Sequence, residues 1–114
     1  MGSPTRGGPW IETQHGEWTL RLLAGDEPLG GLIDVEVVAA AQTLVGTLGS
    51  LLSIADVMAT YRHSGECLSG KYFWAKSLIV VDEMDEGSLF SVLRDLIDSG
   101  EAPAALEEVV EFAT

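Results

Sequence analysis

The chain has little cysteine and little positive charge, and each shortage excludes classes of function. One cysteine among 114 residues leaves no internal disulfide framework and no cysteine-rich zinc module. Six Lys and Arg stand against eighteen Asp and Glu, which gives a formal net charge of −12. Binding to nucleic-acid phosphates depends on a clustered basic surface, and anionic membranes also attract basic segments. The charge therefore argues against both kinds of partner.

Sequence patterns that mark known chemistry are missing as well. No glycine-rich turn with a following lysine lies between a strand and a helix, so both nucleotide-binding fingerprints are absent. His63 and Cys67 lie four residues apart, but the intervening Ser64 and Gly65 favour a loop, and no third group is placed to orient a nucleophile. We therefore predict no catalytic residue, no metal and no cofactor.

The size and composition are those of one globular domain. Apolar residues make up 46% of the chain and charged residues 21%, close to globular averages. Residues 1–9 are rich in Gly and Pro and predict a flexible N-terminal segment, which leaves residues 10–114 as a single domain. The missing apolar core of a secretory signal and the single cysteine predict a cytoplasmic protein.

Three segments are predicted to form strands. Residues 10–14 and 17–23 flank a turn at His15 and Gly16, and the second segment alternates apolar and polar side chains. Residues 24–31 contain breakers and predict a loop. Residues 71–82 are rich in aromatic and β-branched side chains, which favour a pleated sheet.

The longest predicted element is a helix over residues 33–62, with Asp34 as its N-cap. Gly46 and Gly49 each cost about 1 kcal/mol relative to alanine inside a helix, so a kink is expected near residues 46–50. Residues 37–55 carry no charge, but acids bracket them closely, which favours a buried helix over a membrane span. The apolar stripe of this helix follows steps of four and three residues: Val37, Ala41, Leu44, Leu48, Leu51, Ala55 and Met58. The stripe is widened by Val38, Val45 and Leu52, and it is expected to face the core.

Two further helices are predicted near the C-terminus. Asp85 or Ser88 caps a helix that runs to Asp98, and Pro103 lies near the start of a final helix. Four apolar side chains of the final helix are expected to face the core: Leu106, Val109, Val110 and Phe112. The predicted fold is α+β, a small antiparallel sheet of about three strands packed against a long central helix and two C-terminal helices. Its exposed edge strand also suggests a homodimer.

Negative charge is concentrated in the last third of the chain. Residues 82–114 hold ten acids and one arginine, a net −9, whereas residues 1–81 carry −3. The densest group is Asp82, Glu83, Asp85 and Glu86, here named the 82–86 cluster. It allows three interpretations: helix capping on a solvated surface, contact with a cationic partner, or metal or acid–base chemistry.

Aromatic side chains accompany the acids. Tyr72, Phe73 and Trp74 must point to alternating faces of a strand, so at least one is available as an interface anchor. The profile of small size, strong acidity concentrated on the last two helices and nearby aromatic side chains resembles that of bacterial immunity proteins and antitoxins. It implies a non-catalytic protein that binds and neutralises a basic partner protein, such as a nuclease-type toxin. The predicted partner-binding residues are Asp82, Glu83, Asp85, Glu86, Asp95, Asp98, Tyr72 and Trp74.

Two other functions stay open on the sequence. One is a small metal- or ligand-binding enzyme that uses the carboxylates at 82–86. The other is a homodimeric structural or chaperone-like protein, in which an apolar helix face meets a partner chain.

Overall fold

The structure is a computed structural model that describes residues 5–7, 10–23 and 31–109. Within these residues the fold class is α+β, as the sequence predicts. The elements in chain order are β1 (Thr5–Gly7), β2 (Trp10–His15), β3 (Trp18–Leu23), β4 (Ile33–Ala39), β5 (Gln42–Ser50), α1 (Leu51–Ser64), α2 (Glu66–Gly70), β6 (Leu78–Val81), α3 (Glu86–Asp98), α4 (Ala102–Ala105) and β7 (Glu107–Glu108).

One mainly antiparallel sheet contains all of these strands. The order across the sheet is β1-β2-β3-β4-β5-β6, and β7 also pairs with β5. Strands β1 to β5 follow one another as antiparallel neighbours. Strand β6 lies parallel to residues 47–50 of β5, and β7 pairs antiparallel with residues 44–45. The prediction of about three strands is therefore too low.

The predicted helix over 33–62 is wrong for residues 33–50, which form the hairpin β4–β5. Ile33, Val35 and Val37 are buried in β4, whereas the side chains between them are more exposed. That alternation of two is typical of a strand with one buried face. Val37 pairs with Leu44 across the hairpin. Read along the chain, the inward-facing side chains of β4 and β5 therefore have a spacing that also fits a helix. Of the predicted segment only residues 51–62 are helical, as part of α1, which continues to Ser64.

Gly46 lies on the inward face of β5 rather than at a helix kink. A Cβ atom at this position would lie 2.5 Å from Cδ2 of Leu106 and 2.9 Å from the carbonyl oxygen of Ser77. Only glycine fits at this position, because the side chain of Leu106 and the backbone of Ser77 approach it closely. Gly49 is similarly enclosed, with the side chain of Leu32 against it.

The hydrophobic core lies between the inward face of the sheet and α3. The predicted C-terminal helix is confirmed at Glu86–Asp98, and its side chains Leu89, Phe90 and Leu93 are buried. They pack against apolar side chains of strands β2 to β6. The sheet side of this core consists of Ile11, Leu20, Leu22, Ile33, Val35, Val37, Leu44, Leu48 and Val81.

The strand predicted over 71–82 is confirmed only for Leu78–Val81. Residues 71–77 are not part of the sheet, and they connect α2 to β6. The parallel pairing begins at Thr47 opposite Leu78, because β7 pairs with the preceding part of β5 at residues 44–45. It stops at Ser50, where β5 becomes α1.

The predicted final helix is also shorter than expected. It is confirmed only as α4, Ala102–Ala105, and Leu106 follows it with extended backbone. The chain leaves the helix there because β7 pairs with β5. Leu106 is nonetheless buried in the core as predicted, whereas Val109 is exposed. Val110 and Phe112 lie outside the described residues, as does the predicted loop except for Gly31.

The predicted hairpin near the start is confirmed as β2 and β3, and Gly16 lies in the turn with a φ of 60°. Strand β1 falls within the segment predicted to be flexible and pairs with β2. The other residues of that segment lie outside the described ranges. No helix in the described part of the chain is long and apolar enough to cross a membrane.

Helix α1 does not form the central spine that the sequence suggests. It packs mainly against α2 and against the end of β5. Ser53 is its one buried residue. Leu51 and Leu52, in its first turn, are 74% and 73% exposed. Two side chains assigned by their spacing to the core are therefore at the surface.

Candidate partner-binding site

The 82–86 cluster follows β6 where that strand leaves the sheet. Val81 is buried, and the next two side chains, Asp82 and Glu83, are exposed. Among the described side chains, contacts with Lys, Arg or His engage Glu12, Glu36, Asp98 and Glu107, and none engages the 82–86 cluster. No described basic side chain therefore neutralises the cluster, and the side chains of Asp82 and Glu83 are open to solvent.

Asp85 also has a structural task within this cluster, because it is the N-cap of α3. Its Oδ2 accepts a hydrogen bond from the backbone N–H of Ser88 at 2.9 Å, and its Oδ1 accepts one from the Ser88 hydroxyl at 2.7 Å. These hydrogen bonds favour the charged carboxylate and lower the pKa of Asp85 below its usual value. Capping thus accounts for Asp85, whereas neither Asp82 nor Glu83 is the cap of a helix.

We expect Asp85→Ala to lower the stability of the protein at pH 7, because the first turn of α3 loses its cap. The lowered pKa means that the carboxylate stabilises the fold above its unfolded-state pKa and ceases to do so as the pH falls through its folded-state pKa. The difference between Asp85→Ala and the unchanged protein should therefore shrink in urea denaturation at pH 3. Asp82→Ala, which removes an exposed acid without a cap, should show little effect at either pH. Equal losses from both substitutions would contradict the capping role.

The other predicted acids lie at the opposite end of α3. A helix of 13 residues is about 20 Å long at 1.5 Å per residue, so Asp98 is far from the 82–86 cluster. Oδ1 of Asp98 lies 2.7 Å from Nε2 of His15, which ties the end of the helix to the hairpin β2–β3. Asp95 is exposed nearby on the same helix.

The predicted aromatic anchors occupy a third place. Tyr72 is 47% exposed and Trp74 is 71% exposed, both in the connection that precedes β6. The acids Asp82 and Glu83 follow β6, so the strand separates them from the aromatic pair. The eight predicted residues therefore lie in three groups rather than on one continuous surface.

A groove beside the 82–86 cluster is the feature that the sequence did not predict. Strands β5 and β6 end side by side, with Ser50 opposite Val81, and the two chains then diverge. The space between them measures about 630 Å³. This β6-exit groove is lined by residues 50–53 on one side and residues 80–84 on the other.

The first turn of α1 explains why one wall of the groove is apolar. The Ser50 hydroxyl accepts a hydrogen bond from the N–H of Ser53 at 3.0 Å, and the Ser53 hydroxyl accepts one from the N–H of Ser50 at 2.8 Å. This reciprocal cap starts the helix and leaves Leu51 and Leu52 facing solvent. The pair of serines three residues apart after Gly49 is the sequence signal that identifies this helix start.

The outward face of the sheet carries charges that neutralise one another. Arg21 donates hydrogen bonds to Glu12 and to Glu36, each at 2.9 Å. The hydrogen bond with Glu12 is the largest of the contributions that raise the pKa of Arg21. The guanidinium also lies 6.0 Å from the centre of the Trp10 ring. This paired network offers less uncompensated charge to a partner than the 82–86 cluster does.

The structure gives no support to a metal site at the cluster. Across residues 10–23 and 31–109, no group of three or more His, Cys, Asp or Glu side chains is arranged to hold a metal ion. His63 is exposed at the end of α1, and Cys67 is half-buried in α2.

Comparisons with protein-family models, curated proteins and solved structures found no match to this chain. The geometry of the site is therefore the basis for a functional proposal.

Proposed function

We propose that this chain is a non-catalytic acidic interaction protein that binds and neutralises a basic partner protein, in the manner of immunity proteins and antitoxins. The observation that carries the proposal is the 82–86 cluster, whose acids are in no ion pair among the described side chains. The net charge of −12 adds a long-range field of the same sign. Such a field speeds the capture of a cationic protein and repels acidic ones.

Exposed apolar side chains beside the acids support the same function. Electrostatic attraction determines how fast partners meet, whereas buried apolar area in the contact contributes to how long they stay together. Leu51 and Leu52 lie in the wall of the groove that Asp82 and Glu83 also line. A surface with both properties fits a lasting complex better than a transient ionic contact.

The test begins with capture of the partner from lysate of the native host, eluted with a salt gradient, followed by measurement of association rates. We expect Asp82→Lys combined with Glu83→Lys to slow association by about tenfold or more at low salt. Both side chains are exposed and neither caps a helix, so the fold should be unaffected.

A matched control separates local charge from net charge. Glu17→Lys combined with Glu101→Lys changes the net charge equally at exposed positions remote from the cluster. We expect this variant to slow association much less. Equal slowing by the two variants, or capture of no basic protein, would refute the proposed function.

A further inference from the structure

The β6-exit groove has an apolar side and an acidic rim. No other part of the described chain occupies the groove. Leu51 and Leu52 are 74% and 73% exposed, and Val80 is 53% exposed. Large apolar side chains are common singly at a surface, but a group of them around one concavity marks a contact site. The groove therefore favours an occupant with at least one large apolar side chain.

The acids at the groove determine the charge of that occupant. Asp82 and Glu83 line the concavity together with Met84, and both carboxylates are exposed and in no ion pair with a described side chain. An acidic peptide or an anionic lipid surface would be repelled here. Lys or Arg beside an apolar side chain complements both features of the groove.

An extended backbone lets one occupant match both features of the groove. The groove lies between the ends of two neighbouring strands, where Ser50 and Val81 are the last paired residues. In an extended segment, alternate side chains point to the same side, so one side can be apolar and the other cationic.

The geometry points to the β6-exit groove as a docking site for an extended segment of the basic partner, in which apolar side chains alternate with Lys or Arg. The segment lies between the diverging ends of β5 and β6. Its apolar side chains contact Leu51, Leu52 and Val80, and its cations lie against Asp82 and Glu83. This inference rests on the proposed function and names the chemistry of the partner at that site.

A defined peptide tests this docking mode without knowledge of the partner. The probe is a blocked octapeptide of alternating lysine and valine, titrated into isotope-labelled full-length protein and followed by amide chemical shifts. We expect saturable binding with the largest shifts at residues 50–53 and 78–84. Octapeptides of alternating lysine and serine, or glutamate and valine, should bind more weakly, because each lacks one of the two required features.

Paired variants assign the contacts. Leu51→Ser with Leu52→Ser, and separately Asp82→Asn with Glu83→Gln, should each weaken the lysine–valine peptide by about fivefold or more. Glu17→Gln with Glu101→Gln alters remote exposed acids and should leave the affinity within about twofold. Circular dichroism and urea denaturation verify that each variant is folded.

Several results would overturn the docking site. They are shifts confined to other surfaces, equal binding of the glutamate–valine peptide, or affinity that neither groove variant changes. Conversion of a dimer to a monomer by Leu51→Ser with Leu52→Ser would show that a second copy of this chain occupies the groove instead. If the captured partner depends on Asp82 and Glu83 but not on the leucines, the proposed function stands and the docking mode fails. If it depends on neither pair, both fail.

Discussion

Leu93→Ala should lower the free energy of unfolding by about 2–5 kcal/mol, whereas Leu52→Ala should change it by less than about 0.5 kcal/mol. Both substitutions remove the same atoms from a leucine in a helix. Leu93 is fully buried between α3 and the sheet, so its removal leaves a cavity in a packed core. Leu52 is 73% exposed in the first turn of α1, and its removal uncovers no cavity. Urea denaturation at pH 7 measures both effects.

The same two variants also test whether Leu52 is exposed, as in the structure, or buried in a central helix, as the periodicity of the sequence predicts. A central helix over 33–62 would place Leu51 and Leu52 in the core and make Leu52→Ala costly as well. Similar losses for the two variants would therefore contradict the exposed position of α1. A small loss for Leu52→Ala alone also shows that groove variants can be studied in a folded protein.

Gly46→Ala should destabilise the protein by about 1–3 kcal/mol, the usual cost of added volume in a packed core. The new methyl group would meet Cδ2 of Leu106 and the carbonyl oxygen of Ser77 at 2.5 Å and 2.9 Å. The leucine side chain can move, but the carbonyl belongs to backbone that bonds the N–H of Thr47 at 3.2 Å. Thermal or urea unfolding provides the measurement.

Gly87→Ala is the matched control, because Gly87 lies in the first turn of α3, where the nearest atom to a new Cβ, Oδ2 of Asp85, is 3.5 Å away. Alanine is favoured over glycine in a helix by up to about 1 kcal/mol, so this variant should be neutral or more stable. The two glycines thus predict opposite signs. A stabilising Gly46→Ala would favour a helix at this position over β5.

Sequence patterns predicted the elements whose local signals agree with their final environment. The β2–β3 hairpin has alternating side chains around Gly16, and α3 has both a cap at Asp85 and an apolar stripe. The prediction for residues 33–50 was wrong because the spacing of their inward-facing side chains fits both the period of a strand and the period of a helix. The turn at Ala40 and Ala41 contains no glycine, proline or asparagine, so no local signal separates the two strands.

Only part of the candidate site could be predicted from the sequence. The acids at 82–86 stand out by density, and the cap of α3 was narrowed to Asp85 or Ser88, of which Asp85 is the cap. Leu51 and Leu52 were assigned to the core because hydrophobicity alone cannot tell a buried leucine from one at a surface. Their exposure depends on the direction in which α1 leaves β5, which is a tertiary property. The separation of Asp98 from the cluster likewise depends on the length and orientation of α3.

Sharing of one edge of β5 between β6 and β7 has a consequence for the order of folding. The hairpins β2–β3 and β4–β5 join neighbours in sequence, whereas Thr47 pairs with Leu78 and Leu44 with Glu108. Closure of long loops is slow relative to local pairing. We therefore expect the N-terminal meander to assemble first, so that Leu20, Val37 and Leu44 face water until α3 packs against them. During synthesis this interval is the one in which the nascent chain is most prone to aggregate.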